Sequence, residues 1–186
     1  MVPVSALWLP VLVSAGLVFL ASSVIHMVLG YHKHDYQAVP GEDDVQTALR
    51  RFSLTPGDYM LPCSTGQKDL RSQAFLDKMR RGPVLVLTVL ENRPMPLGAN
   101  LTMWFVYSMV VGVLSGYVAG LALPAGAGYR PVFRVVSTVA FIGYALALWQ
   151  MSIWYRRSWG TTLRSTLDGV IYALLTAGAF GWLWPR

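Results

Sequence analysis

Residues 101–123 read LTMWFVYSMVVGVLSGYVAGLAL, an unbroken apolar run that contains no charged residue. A helix needs about 20 predominantly apolar residues to cross the hydrocarbon core of a bilayer. Three further segments have the same apolar character and contain neither lysine nor glutamate, namely residues 4–29, 132–155 and 163–184. The sequence therefore predicts four transmembrane helices.

The composition of the whole chain supports a membrane protein. Of its 186 residues, 54% are hydrophobic and only 13% are charged, and the mean hydropathy is +0.46. Soluble domains usually carry about 25% charged residues. The sequence contains no phosphate-binding glycine motif, no HExxH and no GxSxG, which favours a non-enzymatic protein without a cofactor.

The basic residues indicate how the chain is oriented. Of the 15 lysines and arginines, 12 lie either between residues 31 and 100 or between residues 156 and 164. Basic residues concentrate on the cytoplasmic side of a membrane, so we expect residues 31–100 in the cytoplasm and both termini outside. No aromatic-basic motif accompanies the positive charge, and we expect no binding to nucleic acid.

The long connection between the first two apolar segments has the pattern of a folded unit. Residues 42–52, EDDVQTALRRF, begin with acids, end with arginines and place Val45, Ala48, Leu49 and Phe52 on one helical face, which predicts an amphipathic helix. Residues 58–63 and 84–90 have strand character and flank a helix expected at residues 67–81. A strand, a helix and a strand in this order favour a parallel, right-handed βαβ crossover.

These patterns predict an all-α transmembrane four-helix bundle with a small α/β insertion between helices 1 and 2. The expected domains are residues 1–30 for the first helix, 31–100 for the cytoplasmic insertion and 101–186 for helices 2 to 4.

Two ionisable residues inside the apolar segments form the main site hypothesis. His26 and Asp168 are both expected near the cytoplasmic ends of their helices, where a compact bundle could bring them together, and Ser22 shares a helix face with His26. Ionisable residues within a membrane usually mark a functional site. The alternatives are a neutral His26 that hydrogen-bonds to Ser22, and an ion pair between Asp168 and Arg164 one turn earlier.

A second group of side chains follows the first apolar segment. His32 and His34 alternate in YHKHDY, residues 31–36, and could share a metal ion in an extended segment, with Asp35 or Cys63 as a further ligand. The alternative is a set of solvated histidines. Cys63, the only cysteine, excludes an intrachain disulfide and is expected to be a buried, inert thiol.

Small residues recur at four-residue spacing in two of the apolar segments. Such spacing creates a groove that lets a neighbouring helix approach closely. The groove could serve packing within one chain or the seam of a homo-oligomer, and its residues are Gly112, Gly116, Gly120, Ala173 and Ala177.

Four stretches of the chain resemble an uncharacterised family of small bacterial membrane proteins. They are SSVIHMVLGYHKHDY at residues 22–36, PGDYMLPC at 56–63, GPVLVLTVL at 82–90 and DGVIYALLTAGAFGWLWP at 168–185. The resemblance implies the same four-helix layout and a location in the bacterial inner membrane. It implies no activity.

Three functions remain open at this point. The first is an oligomeric channel or transporter for a small solute or ion, with a polar site near His26 and Asp168. The second is an accessory protein that docks a partner through residues 31–100. The third is a membrane-bound metal protein or enzyme that uses His32, His34 and Asp35. In each case membrane lipid surrounds the apolar segments.

Overall fold

The structure, a computed structural model, describes all residues from 1 to 186 and divides them into two compact units. Residues Met1–Tyr36 and Pro96–Arg186 form the first, which we call the helical unit. Residues Gln37–Met95 form the second, which we call the loop unit.

The helical unit begins with a composite helix. A 3-10 turn at Val4–Leu7 leads into α1 (Trp8–Val24), and α1 continues as a π-helical turn at Ile25–Leu29. Gly30 then stops the helix in the left-handed conformation, with φ of 66° and ψ of 3°. Glycine ends many helices in this way, because it has no Cβ to clash in that conformation.

Two further helical segments cross the unit, and a break divides the second of them. The elements are α5 (Leu97–Ala122), α6 (Tyr129–Tyr144), a 3-10 turn (Leu146–Leu148) and α7 (Trp149–Tyr155). The sequence predicts one continuous helix over residues 132–155, and the interruption at Ala145 differs from that prediction. At this point α8 (Trp159–Trp182) approaches so closely that a Cβ on Gly169 would lie 2.6 Å from the Cβ of Ala145.

Three helical segments are long and apolar enough to cross a membrane: Val4–Leu29, Leu97–Ala122 and Tyr129–Tyr155. The predicted fourth segment is helical over the 24 residues of α8, but it does not share this apolar character. Its first half carries Arg164, Asp168 and several hydroxyl residues, which lower its hydropathy.

The helices pack in the spatial order α1, α5, α6 and α8, and α8 closes the ring against α1. Two groups of buried side chains fill the interior. One contains Leu7, Val132, Val136 and Phe180, all fully buried. The other lies around Val18, Val111, Tyr144 and Tyr172. On α8, the buried residues Asp168, Tyr172, Thr176 and Phe180 follow one another at four-residue intervals, so they share one helix face.

The glycine groove of α5 packs within the chain. A Cβ on Gly112 would lie 3.3 Å from the Ser14 hydroxyl, and a Cβ on Gly116 would lie 2.8 Å from the ring of Phe180. The carbonyl of Gly120 accepts a hydrogen bond from the backbone N–H of Val2 at 3.0 Å. Ala173 and Ala177 on α8 are buried as well. These contacts correspond to internal packing, and a homo-oligomer stays a prediction.

The loop unit contains the predicted amphipathic helix, α2 (Glu42–Arg50), and a two-stranded sheet. Strands β1 (Gly57–Leu61) and β2 (Leu85–Val89) pair antiparallel, with Gly57 opposite Val89 and Leu61 opposite Leu85. The predicted parallel βαβ crossover is therefore wrong. The connecting segment returns the chain to the end of the sheet at which β1 finishes, whereas a parallel crossover must carry it back to the other end.

The helix predicted over residues 67–81 is divided into α3 (Gln67–Leu70) and α4 (Gln73–Arg81). Ser72 separates them, because its hydroxyl accepts a hydrogen bond from the backbone N–H of Phe75 at 3.1 Å. A serine in this position satisfies one of the free N–H groups at a helix start and so begins a new helix.

Candidate cation site at the ends of α1 and α8

Asp168 is a buried carboxylate on α8, with only 4% of its surface exposed. The hydroxyl of Tyr31 donates a hydrogen bond to its Oδ1 atom, and its Oδ2 atom lies 2.8 Å from Nε2 of His32. A buried charge is strongly unfavourable unless other groups pair with it. The segment that follows α1 supplies both partners of Asp168.

His26 lies in the π-helical turn, and its Nδ1 atom is 2.9 Å from the backbone carbonyl of Ser22. A carbonyl oxygen only accepts hydrogen bonds, so Nδ1 carries the proton in this contact. Nε2 is then the ring nitrogen that is left for a further contact. The ring stacks on that of His32, with a centroid separation of 4.7 Å and an angle of 2° between the ring planes.

His32 lies between two carboxyl groups. Its Nδ1 atom is 2.7 Å from Oδ2 of Asp35, and its Nε2 atom faces Asp168. Two turns after Gly30 place it there, since the N–H of Lys33 bonds to the carbonyl of Gly30 and the N–H of Asp35 bonds to the carbonyl of His32. Only 15% of the His32 side chain is exposed.

Asp35 and Tyr31 have opposite roles in this network. Burial raises the pKa of the Asp35 carboxyl, but the hydrogen bonds and charges of His32 and Arg164 outweigh burial and hold that pKa below its usual range. Burial, together with the hydrogen bond to Asp168, raises the pKa of the Tyr31 hydroxyl. At neutral pH, Asp35 is therefore an ionised acceptor, and Tyr31 is a protonated donor.

The contact between His32 and Asp168 needs a positive charge. Suppose that the Nδ1–H group of His32 donates a hydrogen bond to the ionised Asp35. In a neutral ring, Nε2 then presents a lone pair toward Oδ2 of Asp168, which is 2.8 Å away. Two acceptors at this distance are compatible only when a proton or a cation lies between them. The arrangement can therefore hold a small positive ion.

His26, His32 and Asp168 together form a potential cation-binding cluster. Each offers one ligand atom, and these atoms all lie within 4.8 Å of one another. Two imidazoles and a carboxylate are common ligands for divalent transition metals. Asp168 is buried within the cluster, His32 is partly exposed, and His26 is exposed at its outer side.

The structure thus brings together the residues of the main site hypothesis. His26 and Asp168 share one cluster, and Ser22 holds His26 through its backbone carbonyl. The Ser22 hydroxyl instead accepts a hydrogen bond from the indole N–H of Trp104 at 2.9 Å.

The alternative ion pair between Asp168 and Arg164 does not form. The Nε atom of Arg164 lies 2.8 Å from Oδ1 of Asp35, because the segment after α1 folds back against α8 and brings Asp35 to the guanidinium.

The metal-ligand set proposed around His32 is only partly assembled. His32 and Asp35 are in contact, but His34 is exposed and is not part of the cluster. Cys63 belongs to the loop unit and is exposed, so its expected burial is wrong. Cys63 follows β1 outside regular secondary structure, and neither strand of the adjoining sheet has a buried residue.

Sequence reasoning missed Tyr31 as a partner of Asp168, and it paired Arg164 with Asp168 instead of Asp35. No spacing rule connects Tyr31 with Asp168, since 137 residues separate them. The available signal was chemical, because Asp35 and Asp168 both need partners when they are buried.

Hydroxyl groups continue inward from Asp168. The buried hydroxyls of Tyr172, Tyr144 and Ser115 have no hydrogen-bond partner within the protein, and the rings of Tyr144 and Tyr172 lie 5.6 Å apart. Unpaired buried hydroxyls are unfavourable, which makes them suitable contacts for water or a ligand. Farther along α8, the fully buried Phe180 belongs to the apolar group that contains Leu7.

No family model matches the chain, and no curated protein and no solved structure is significantly similar to it.

Proposed function

We propose that this chain is a small membrane transport protein for a small cation, which binds at His26, His32 and Asp168. One observation carries the proposal: a carboxylate buried among helices faces two imidazoles at the end of the helical unit. Ionisable residues within membrane helices most often lie on ion or substrate pathways.

The interior beyond the site supports transport over a purely structural role. The hydroxyls of Tyr172, Tyr144 and Ser115 offer polar contacts deeper in the helical unit. Phe180 lies 12 residues beyond Asp168, about 18 Å along an α-helix, and packs in an apolar group. A site that is accessible at one end and closed at the other is what an alternating-access transporter requires in one of its states.

We also propose that α8 is a fourth span and that residues 31–100 lie in the cytoplasm, with both termini outside the bacterial inner membrane. The 24 residues of α8 measure about 36 Å at 1.5 Å per residue, enough to cross a bilayer. Its buried face packs against α1 and α6, which keeps Asp168 away from lipid. Assembly into a homo-oligomer belongs to the same proposal, since four helices enclose little space.

Reconstitution into liposomes tests the transport function. Vesicles that carry the wild-type chain should show flux of a probe cation, either protons reported by pyranine or Co²⁺ reported by calcein quenching. Asp168→Asn and His26→Ala should each reduce this flux at least about tenfold, because each removes a ligand of the site. His34→Ala is the matched control, since His34 is exposed and lies outside the cluster. Equal flux in protein-free and wild-type vesicles would refute the proposal.

The loop unit supplies a second candidate function, docking of a protein partner. The apolar stripe of α2 is uncovered, with Leu49 41% and the following Phe52 69% exposed. Exposed apolar faces of this kind often mark interaction surfaces. A photo-reactive residue in place of Phe52 should crosslink to one discrete species in cells, and the same residue in place of Gln46 should not. Crosslinks only to lipid would exclude a protein partner at this face.

A further inference from the structure

We infer that the cation of this site is a divalent first-row transition metal, bound by Nε2 of His26, Nε2 of His32 and Oδ2 of Asp168. The inference rests on the proposed function, because it assigns the substrate class of the same site. It goes further by naming the ligand atoms and the groups that orient them.

The ligand atoms follow from the hydrogen bonds that are already formed. Nδ1 of His26 is bonded to the Ser22 carbonyl, and Nδ1 of His32 is bonded to Asp35. In both rings the remaining nitrogen is Nε2. Tyr31 donates to Oδ1 of Asp168, and the other oxygen, Oδ2, faces Nε2 of His32.

The supporting groups match those of known metal centres. A metal-binding histidine almost always donates its second ring N–H to a carboxylate or a backbone carbonyl. His32 contacts the carboxylate of Asp35, and His26 contacts the carbonyl of Ser22. Arg164 in turn holds Asp35 at 2.8 Å. Each imidazole thus already has a partner for its Nδ1 atom, and Nε2 is the nitrogen that can turn toward a metal.

The spacing of the ligand atoms suits a small ion after a modest adjustment. At a metal–nitrogen distance of about 2.0–2.1 Å, two ligands of a tetrahedral ion lie about 3.3 Å apart. Nε2 of His32 and Oδ2 of Asp168 are 2.8 Å apart, and the three ligand atoms lie within 4.8 Å of one another. Because the rings of His26 and His32 lie parallel, one ring must turn out of the stack before both Nε2 lone pairs point at a common ion.

The chemistry of the ligands selects the class of metal. Imidazole nitrogen suits zinc, iron, nickel and copper, whereas magnesium and calcium prefer oxygen ligands throughout. The carboxylates of Asp35 and Asp168 outnumber the single guanidinium of Arg164 in the network, so the site favours a positive ion. Three protein ligands leave at least one coordination position for water or an exchanging group, as passage of the ion requires.

Metal titration of the purified full-length chain in detergent tests this assignment. Calorimetry with Zn²⁺ should give one high-affinity ion per chain, and Co²⁺ should give an absorption spectrum of a site with nitrogen ligands. His26→Ala, His32→Ala and Asp168→Asn should each weaken Zn²⁺ binding at least about 100-fold. Asp35→Asn should weaken it about 10–100-fold, since loss of an orienting group typically has that effect.

Matched measurements make the assignment refutable. His34→Ala should bind Zn²⁺ like the wild type, and a large excess of Mg²⁺ should not displace Zn²⁺. Zinc X-ray absorption of the wild-type protein should show two imidazole ligands, which keeps the test decisive if a variant fails to fold. A loss in His34→Ala equal to that in His32→Ala, displacement by Mg²⁺, or a spectrum without two imidazoles would overturn the inference.

Liposome assays separate this inference from the proposed function. Proton flux that needs no metal and is abolished by Asp168→Asn would support transport and overturn the metal assignment. Zn²⁺ binding by the three ligands without flux of any cation would support the metal assignment and overturn transport.

Discussion

Asp35 and Arg164 form an ion pair although 129 residues separate them in the chain. The pair fastens the segment that follows α1 to the first turns of α8. His32, three residues before Asp35, lies in the same segment and contacts both Asp35 and Asp168. The geometry of the candidate site therefore depends on a contact outside the cluster itself.

Removing this guanidinium should destabilise the helical unit. Arg164→Ala leaves Asp35 without its strongest cation while only 8% of the Asp35 side chain is exposed. Loss of one partner from a buried pair costs up to about 3–5 kcal/mol, and the partial exposure of Arg164 reduces the expected loss to about 1–3 kcal/mol. Thermal unfolding in detergent measures the change.

The matched control is Arg80→Ala in the loop unit. Arg80 pairs with Asp77, but both side chains are at least half exposed. Such surface pairs contribute about 1 kcal/mol or less. Equal losses of stability from the two substitutions would mean that the pair of Asp35 and Arg164 stabilises the protein no more than a surface pair does.

Two glycines with different surroundings, Gly116 in the glycine groove and Gly16 on α1, should respond differently to substitution by alanine. Gly116→Ala should lower stability by about 1–3 kcal/mol, the usual cost of overpacking, because the added methyl would lie 2.8 Å from Phe180 and 3.1 Å from Leu7. Gly16→Ala on α1 meets nothing within 4 Å and should be neutral or mildly stabilising. Unfolding of both variants in one detergent gives the comparison, and a harmless Gly116→Ala would contradict the close packing of α5.

Asp69 should give the loop unit a pH-dependent contribution. The backbone N–H of Thr65 donates to its carboxylate and is the main reason why the pKa of Asp69 lies below its ordinary value. A carboxyl with a depressed pKa stabilises the fold above its unfolded value of about 3.9, and this contribution is lost as the pH falls through the folded pKa.

The difference in stability between the wild type and Asp69→Asn should therefore be largest near neutral pH and should shrink below about pH 4. Unfolding curves between pH 2 and pH 7 measure it, with carbon-13 NMR of the Asp69 carboxyl as an independent titration. A constant difference across that range would show that the carboxylate charge is not involved.

The single cysteine gives a direct test of topology. Cys63 is exposed and can react with a maleimide; under the proposed orientation, a membrane-impermeant maleimide should label it only when the cytoplasmic face is accessible. In the background Cys63→Ser, the substitutions Ala125→Cys and Arg186→Cys should both react from outside, since both positions are exposed. Labelling of Arg186→Cys from the cytoplasmic side alone would mean that α8 does not cross the membrane.

The sequence predicts those features that depend on local pattern. The apolar runs identify α1, α5 and the segment of α6 and α7, and the spacing of Val45 and Leu49 identifies α2. The sequence also suggests that His26 and Asp168 could meet, and they share one cluster, although α8 begins at Trp159 and places Asp168 as its tenth residue.

Features that depend on contacts between segments distant in sequence could not be predicted from local sequence pattern. The direction of β2 relative to β1 depends on where the connecting segment returns. The partner of Arg164 depends on how residues 30–36 fold after Gly30. The break at Ala145 depends on the close approach of Gly169. None of these leaves a periodic signal.

The contact between Asp35 and Arg164 also has a consequence for biosynthesis. Ribosomes add about 5–20 residues per second, so Asp35 emerges roughly 6–26 s before the arginine that neutralises it. During that interval His32 and Asp35 have neither of their partners on α8. A nascent chain that has not reached Asp168 lacks the carboxylate of the cluster, so the cluster of His26, His32 and Asp168 is completed only when α8 is made.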